Sequence, residues 1–240
     1  MNNIGIGIFC FGDDFYFKGA FDKVIELREI GIPVYVLTDK PEEFPDYILT
    51  IEHHRKFKSY HDKLILSKYI LTHHNICILI DADLHIKDYR IFEELKTYNF
   101  KKGISYVDTL ENHPSKKKYV NEFNMNQVDW SAYSLFAKSI YPDFGGLELI
   151  WEYFLIINKE GFDDDFYCYY DKLQIAKEFS DLTMNKEVSA PGEGISLSIS
   201  AKLSNTNLER DLELYEKIKN NFISVSRKFT HPDFWPEWMK

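Results

Sequence analysis

Ile76-Cys77-Ile78-Leu79-Ile80 is apolar at every position and rich in β-branched side chains. A short run with no polar alternation is buried on both faces, which is the condition of a central strand in a sheet covered by helices on either side. The run passes straight into Asp81-Ala82-Asp83, so the strand end carries two carboxylates. Ile4–Cys10, reading IGIGIFC, is a second such run. After the turn-forming segment FGDDFYFKG, apolar residues Phe21, Val24, Ile25 and Ile30 recur at helical spacing, and Gly31 ends the helix. Pro33 to Thr38 then reads as a strand ending at Asp39. Strand, helix and strand in this order form a βαβ unit with parallel pairing.

The alternation continues. Pro41 to Pro45 is loop, Tyr47 to Ile51 a short strand, Ser59 to Thr72 a helix, Ile91 to Lys96 a helix and Gly103 to Val107 a strand. The first half is therefore α/β. The second half is less regular. Trp130 to Lys138 is expected as a strand, LELIWEYFLII after Gly145-Gly146 as a helix, and Asp171 to Phe179 as a helix. Asn207 to Phe222 is expected as one helix, with Leu208, Leu212, Tyr215, Ile218 and Phe222 along one side. No internal repeat or low-complexity linker divides the chain, so 1–240 is read as a single domain.

Composition excludes some functions. The chain has 240 residues, 45% of them hydrophobic, and a net charge of −9. That acidic balance argues against nucleic acid as a partner, since such proteins present a basic stripe. The two dense basic runs, His53 to Lys58 and Lys116 to Lys118, are solvated loops or points of peripheral contact with an anionic membrane. Cys10, Cys77 and Cys168 form no CxxC pair, and two of the three lie in apolar runs, as expected of reduced thiols in the cytoplasm. The N-terminal apolar run is too short for a signal peptide, and none is long enough to cross a bilayer. The 16 Tyr, 19 Phe and 4 Trp supply either a core built from rings or a cleft that stacks sugars and bases.

The chemistry concentrates at ILIDADLHI. Residues at i and i+2 of an extended backbone point to one face, and ligands of an open α/β sheet sit beyond the carboxyl ends of its strands. Two carboxylates converging there repel each other, and a divalent cation relieves the repulsion. Oxygen ligands select hard cations, Mn²⁺ or Mg²⁺, which also bind phosphates. A cation so held grips a diphosphate and neutralises the charge it gains as a leaving group.

The segments IGIGIFC, YVLTDKPEEFP, SYHDKLILSKYIL and ILIDADLHI together resemble glycosyltransferases of the GT-A type, nearest to families 6 and 8, over roughly residues 4 to 110. The resemblance implies a Rossmann-type mixed sheet flanked by helices. Its nucleotide-sugar half would span about 1–110, and its acceptor half and C-terminal tail about 111–240. It implies transfer of a sugar from a nucleotide-sugar donor, UDP-linked, to an oligosaccharide or glycolipid acceptor, with Mn²⁺ or Mg²⁺ as cofactor. It places Phe9 and Phe11 at the base, Asp39 near the base or ribose, and Lys63 near the nucleotide or sugar. Asp81 would contact ribose or metal, and Asp83 the metal. His231 in Thr230-His231-Pro232 would add a ligand, although the glycine and lysine that follow this histidine in family 8 are absent. Asp171 would match the acidic position of the sugar and acceptor segment, opening a helix after two tyrosines. The next residue, Lys172, stands where family 6 has a glutamate, which leaves the stereochemical outcome open; Asp163, Asp164, Asp165 and Glu193 are further candidate bases. A helix N-cap is the alternative role of Asp171. Two other functions share parts of the pattern: a haloacid-dehalogenase-type phosphohydrolase, whose DxD strand would begin the fold, and a non-catalytic sugar-nucleotide or glycan binder on the same scaffold.

Overall fold

The computed structural model describes residues 2–12, 14–54, 62–109, 150–183 and 192–224. The expected strand at Trp130–Lys138 and the candidate ligand His231 lie outside the described residues, as do the basic segments after His54 and at Lys116.

In chain order the strands are β1 (Ile4–Cys10), β2 (Val34–Thr38), β3 (Leu49–Glu52), β4 (Ile76–Asp81), β5 (Leu84–Ile86), β6 (Gly103–Thr109), β7 (Ile150–Asn158), β8 (Leu208–Arg210) and β9 (Phe222–Ser224). The helices are α1 (Asp14–Glu29), α2 (Lys63–His73), α3 (Ile91–Leu95), α4 (Asp165–Thr183), α5 (Gly192–Leu203) and α6 (Leu212–Ile218). Seven strands form one sheet in the order β3-β2-β1-β4-β7-β6-β8, and β5 pairs with β9 in a separate ribbon. Strands β3, β2, β1 and β4 run parallel. β7 is antiparallel to both β4 and β6, while β8 is parallel to β6. The architecture is the α/β mixed sheet flanked by helices that the strand pattern and the resemblance implied. Among the described residues no helix is long and apolar enough to cross a membrane.

The sheet separates two apolar cores. One joins Ile4, Ile6, Ile8 and Cys10 to α1, α3 and α6; the other joins Phe9 and Phe11 to α2, α4 and α5. The alternation in β1 explains how closely α2 approaches. Gly5 and Gly7 share the α2 face, where a Cβ on Gly5 would come within 2.6 Å of Ile70 and one on Gly7 within 2.8 Å of Leu66. The glycines thus let a helix lie against the strand backbone, and this brings the first residue of α2, Lys63, to the end of β4.

Three expectations are corrected. α1 starts at Asp14, not Phe21: Gly12, with φ +108°, makes the turn, and Phe17 and Ala20 extend the buried stripe one turn back. The run containing Ile150–Asn158 is a strand, not a helix. An apolar run fits either period, and here it is sandwiched between β4 and β6. The helix expected over Asn207–Phe222 is divided into β8, α6 and β9. Asp211 caps α6 by accepting from Leu214 N at 3.0 Å, and pairing with β6 and β5 captures the flanking residues.

Candidate functional site

The carboxyl ends of β1, β2, β3 and β4 meet at one edge of the sheet. The register pairs Phe9 with Asp81 and Cys10 with Thr38, so the segments following these strands are brought side by side. Asp81 is the last residue of β4 and Asp83 lies in the turn before β5. Asp81 is about one-third exposed, at 34%, and Asp83 is half-buried. Burial, then the charge of Asp81, pushes the Asp83 carboxyl up to about 7, against the opposing pull of Lys23 and Lys63. Asp83 also opens onto a cavity of about 510 Å³.

Lys63 joins the pair as expected. Its ammonium is 3.5 Å from Asp81 Oδ1 and donates to the backbone oxygen of Glu152 on β7 at 3.3 Å. The residue is 5% exposed, so one buried cation bridges β4 and β7 at the site edge.

Lys23 was not anticipated. It is 4% exposed on α1 and donates to Ala82 O at 2.7 Å and to Gly19 O at 2.9 Å. Ala82 is the middle residue of the Asp-Ala-Asp turn, so α1 grips that turn by its backbone. Burial brings the Lys23 pKa down to about 8, while Asp83, Asp22 and Asp81 favour its charge. The contact is tight: a Cβ at Gly19 would lie 2.5 Å from Ala82 O. A sequence signal existed. Ala20, Lys23, Val24 and Leu27 fall on one helical stripe, and a lysine among buried apolar positions requires a partner.

The remaining expected residues divide. Asp39 is exposed in the bend after β2, and its charge adds to burial in raising Cys10 to about 12, which locates it at the same edge. Phe9 and Phe11 are corrected. Their ring centroids are 4.5 Å apart and they are only 7% and 3% exposed, so they continue the core alternation of β1 and form a floor, not an open stacking face. Asp171 is also corrected. α4 begins at Asp165, where Asp163 Oδ1 accepts from Asp165 N at 2.9 Å, so Asp171 neither opens the helix nor caps it. It is half-buried beside Tyr170 and Leu173 of the second core. His53, read only as part of a basic run, stands at the edge: its N–H donates to Thr38 O at 2.8 Å, and Nε2 is 3.1 Å from Oδ2 of the buried Asp62. β9 ends at Ser224 opposite Leu84.

Among the described residues no group of three metal-ligating side chains is assembled. Asp81 and Asp83 supply two hard oxygen donors whose charges act on each other. That donor set fits Mg²⁺ or Mn²⁺, which keep several positions for waters and substrate phosphates.

Fold and site together define an α/β mixed-sheet protein with paired carboxylates at the exit of a central parallel strand. No known family's sequence profile matches the chain, and no curated protein does. Solved structures that it resembles include glycosyltransferases. An active-site mutant of LgtC is 14% identical, with 96% of this chain and 80% of that one covered and a TM-score of 0.49. The glycosyltransferase GlyE of Streptococcus pneumoniae TIGR4 is 11% identical, with 90% and 47% covered and a TM-score of 0.43; the chain spans about half its length. A Drosophila β-1,4-galactosyltransferase 7 mutant, in complex with manganese, UDP-Gal and xylobiose, is 12% identical, with 99% and 79% covered and a TM-score of 0.44. At these values the likeness carries no information on donor, acceptor or chemistry.

Proposed function

We propose that the protein is a metal-dependent glycosyltransferase that uses a nucleotide-sugar donor, UDP-linked, and an oligosaccharide or glycolipid acceptor. The observation that carries the reading is the Asp81–Asp83 pair at the exit of β4, beside a cavity and backed by two buried lysines. Asp81 and Asp83, with His231 as a further ligand, would hold Mn²⁺ or Mg²⁺. Such an ion, when bound, supplies Lewis-acid stabilisation of the departing diphosphate. Lys63 orients Asp81 and adds positive charge on the β7 side of the site. Lys23 fixes the turn between the two ligands. Asp39 accepts from nucleotide hydroxyls at the end of β2, above the floor made by Phe9 and Phe11. Asp171 is kept as the proposed catalytic carboxylate, as a side chain within α4 and not at its cap.

On this reading residues 1–240 are one catalytic domain, with the donor half in about 1–110. The buried free thiols Cys10 and Cys77 favour a cytoplasmic setting, with peripheral membrane contact through the basic segments. The test is a thermal-shift panel of UDP, GDP and their sugars, with and without Mn²⁺. A ligand of the folded state raises Tm by mass action. UDP with Mn²⁺ is expected to stabilise the chain, and Asp83→Ala to remove the metal-dependent part. Absence of any nucleotide shift, or turnover of a generic aryl phosphate in place of sugar transfer, would sink the reading.

A further inference from the structure

Helix α1 has a second face. While Phe17, Ala20, Val24 and Leu27 are buried in the first core, Phe21 is 37% exposed. Together with Phe15, Asp22 and Glu26 it walls the cavity of about 510 Å³ that separates α1 from β5 and the Tyr89 ring. That volume lies within the range of about 300–1,000 Å³ usual for small-molecule sites. Asp83 opens onto the same space, so an occupant lies next to the proposed metal–diphosphate position.

The lining discriminates by charge. Among the described lining residues its basic groups are Lys23, whose ammonium is already engaged by two carbonyl oxygens, and the His85 imidazole. Asp22 and Glu26 form no ion pair among the described residues, and both act on Tyr89, whose phenol is pushed up by burial and by their charges. Phosphate or carboxylate groups are repelled by such a wall. Hydroxyl and amine groups donate to it, and three aromatic rings offer apolar faces of the kind a sugar ring packs on.

We propose that this cavity is the acceptor subsite, and that it takes an uncharged or amine-bearing sugar ring while rejecting an anionic one. The proposal rests on the transferase reading above. It assigns the donor to the Lys63 side of the Asp81–Asp83 turn and one acceptor ring to the α1 side, with Asp83 between them, so that residues 15–89 would contribute to acceptor binding beside the half at about 111–240.

The test uses the full chain saturated with UDP and Mn²⁺. Methyl β-D-glucoside, glucosamine and glucuronate are the probes, observed by saturation-transfer NMR. The first two are expected to receive saturation and glucuronate to receive none. Phe21→Ala, which removes a surface ring, is expected to weaken the retained contacts roughly three- to tenfold. Glu26→Gln is expected to weaken glucosamine more than the glucoside. Both variants keep the UDP–Mn²⁺ thermal shift of the parent. Equal binding of glucuronate, unchanged binding in both variants, or no saccharide signal in a chain that still binds UDP–Mn²⁺ would overturn the acceptor subsite and leave the transferase reading standing. Saccharide contacts without any UDP–Mn²⁺ shift would instead overturn the transferase reading, and with it the acceptor assignment.

Discussion

Helices α1 and α2 both deliver a buried lysine to the Asp81–Asp83 turn, one from each face of the sheet, and they hold it differently. α2 lies on the glycine face of β1 and presents Lys63 to a carboxylate, Asp81 Oδ1, at 3.5 Å. α1 lies on the isoleucine face and presents Lys23 to a carbonyl, Ala82 O, at 2.7 Å. Lys63, with a backbone acceptor, Glu152 O at 3.3 Å, and a partly exposed carboxylate, keeps part of its charge for an arriving phosphate. A cation bonded to two backbone oxygens is committed to the shape of the turn. The two lysines thus separate electrostatics from geometry at one site, and each can be perturbed without the other.

The largest effect is expected where both inputs converge. Asp83→Ala removes the proposed metal ligand, and the charge stabilisation assigned to it is worth several kcal/mol, so transfer should fall by at least about 10²-fold. Initial rates across a Mn²⁺ titration check this; a rate within a few-fold of the parent would refute the role. Gly19→Ala breaks the geometric side alone. Its Cβ would meet Ala82 O at 2.5 Å, a backbone atom with no rotamer to yield, so the turn itself must shift. Relief by the better helix propensity of alanine is at most ~1 kcal/mol, and overpacking costs ~1–3 kcal/mol. Metal affinity is expected to drop roughly 10-fold or more. The control is Gly7→Ala, where the atoms met are side-chain ends of Leu79 and Leu66: it should lower Tm and leave metal affinity as it was. Lys63→Gln breaks the electrostatic side. Donor affinity should weaken roughly tenfold while Mn²⁺ affinity of the free protein does not fall, since a competing cation beside Asp81 is removed, both measured by calorimetry. Equal losses for Gly19→Ala and Lys63→Gln in both assays would erase the distinction between the helices.

How much of this could be read beforehand follows from how local each signal is. The strand Ile76–Asp81 and the carboxylates beyond it are contiguous, so the site could be located from one segment. Lys63 precedes that strand by a single helix, and its arrival at Asp81 follows from the glycine alternation in IGIGIFC. Lys23 was visible only as a misfit on an apolar stripe, because its partner is a carbonyl, which every residue has. β7 was misread because its neighbours β4 and β6 are distant in sequence and an apolar run fits either period. Asp171 follows two tyrosines that read as the end of a loop, whereas the helix already begins at Asp165 and includes them. The resemblance puts Phe9 and Phe11 at the base, and the alternation that buries Gly5 and Gly7 buries their rings too.

The smallest effect separates Lys23 from Lys63 by pH. Burial lowers the Lys23 pKa from 10.5 to about 8. Between these values the unfolded chain holds a proton at this position that the folded chain has released. Stability rises with pH wherever the unfolded state binds more protons, so Lys23 makes the parent protein gain stability from about pH 8 upward, by up to ~3 kcal/mol over the full interval. Below pH 8 both states carry the charge and the gain is absent. Lys23→Met removes the titrating group and leaves the two carbonyls without their donor, at ~1–3 kcal/mol. Denaturant unfolding at pH 7.5 and 9.5 should therefore show a gap between parent and variant that widens at the higher pH. Lys63→Gln, measured in parallel, should leave the parent's rise between the two pH values in place. A gap that is constant or narrows would mean that Lys23 titrates as an ordinary surface lysine. Burial of its ammonium would then be offset by the two carbonyls and the nearby carboxylates.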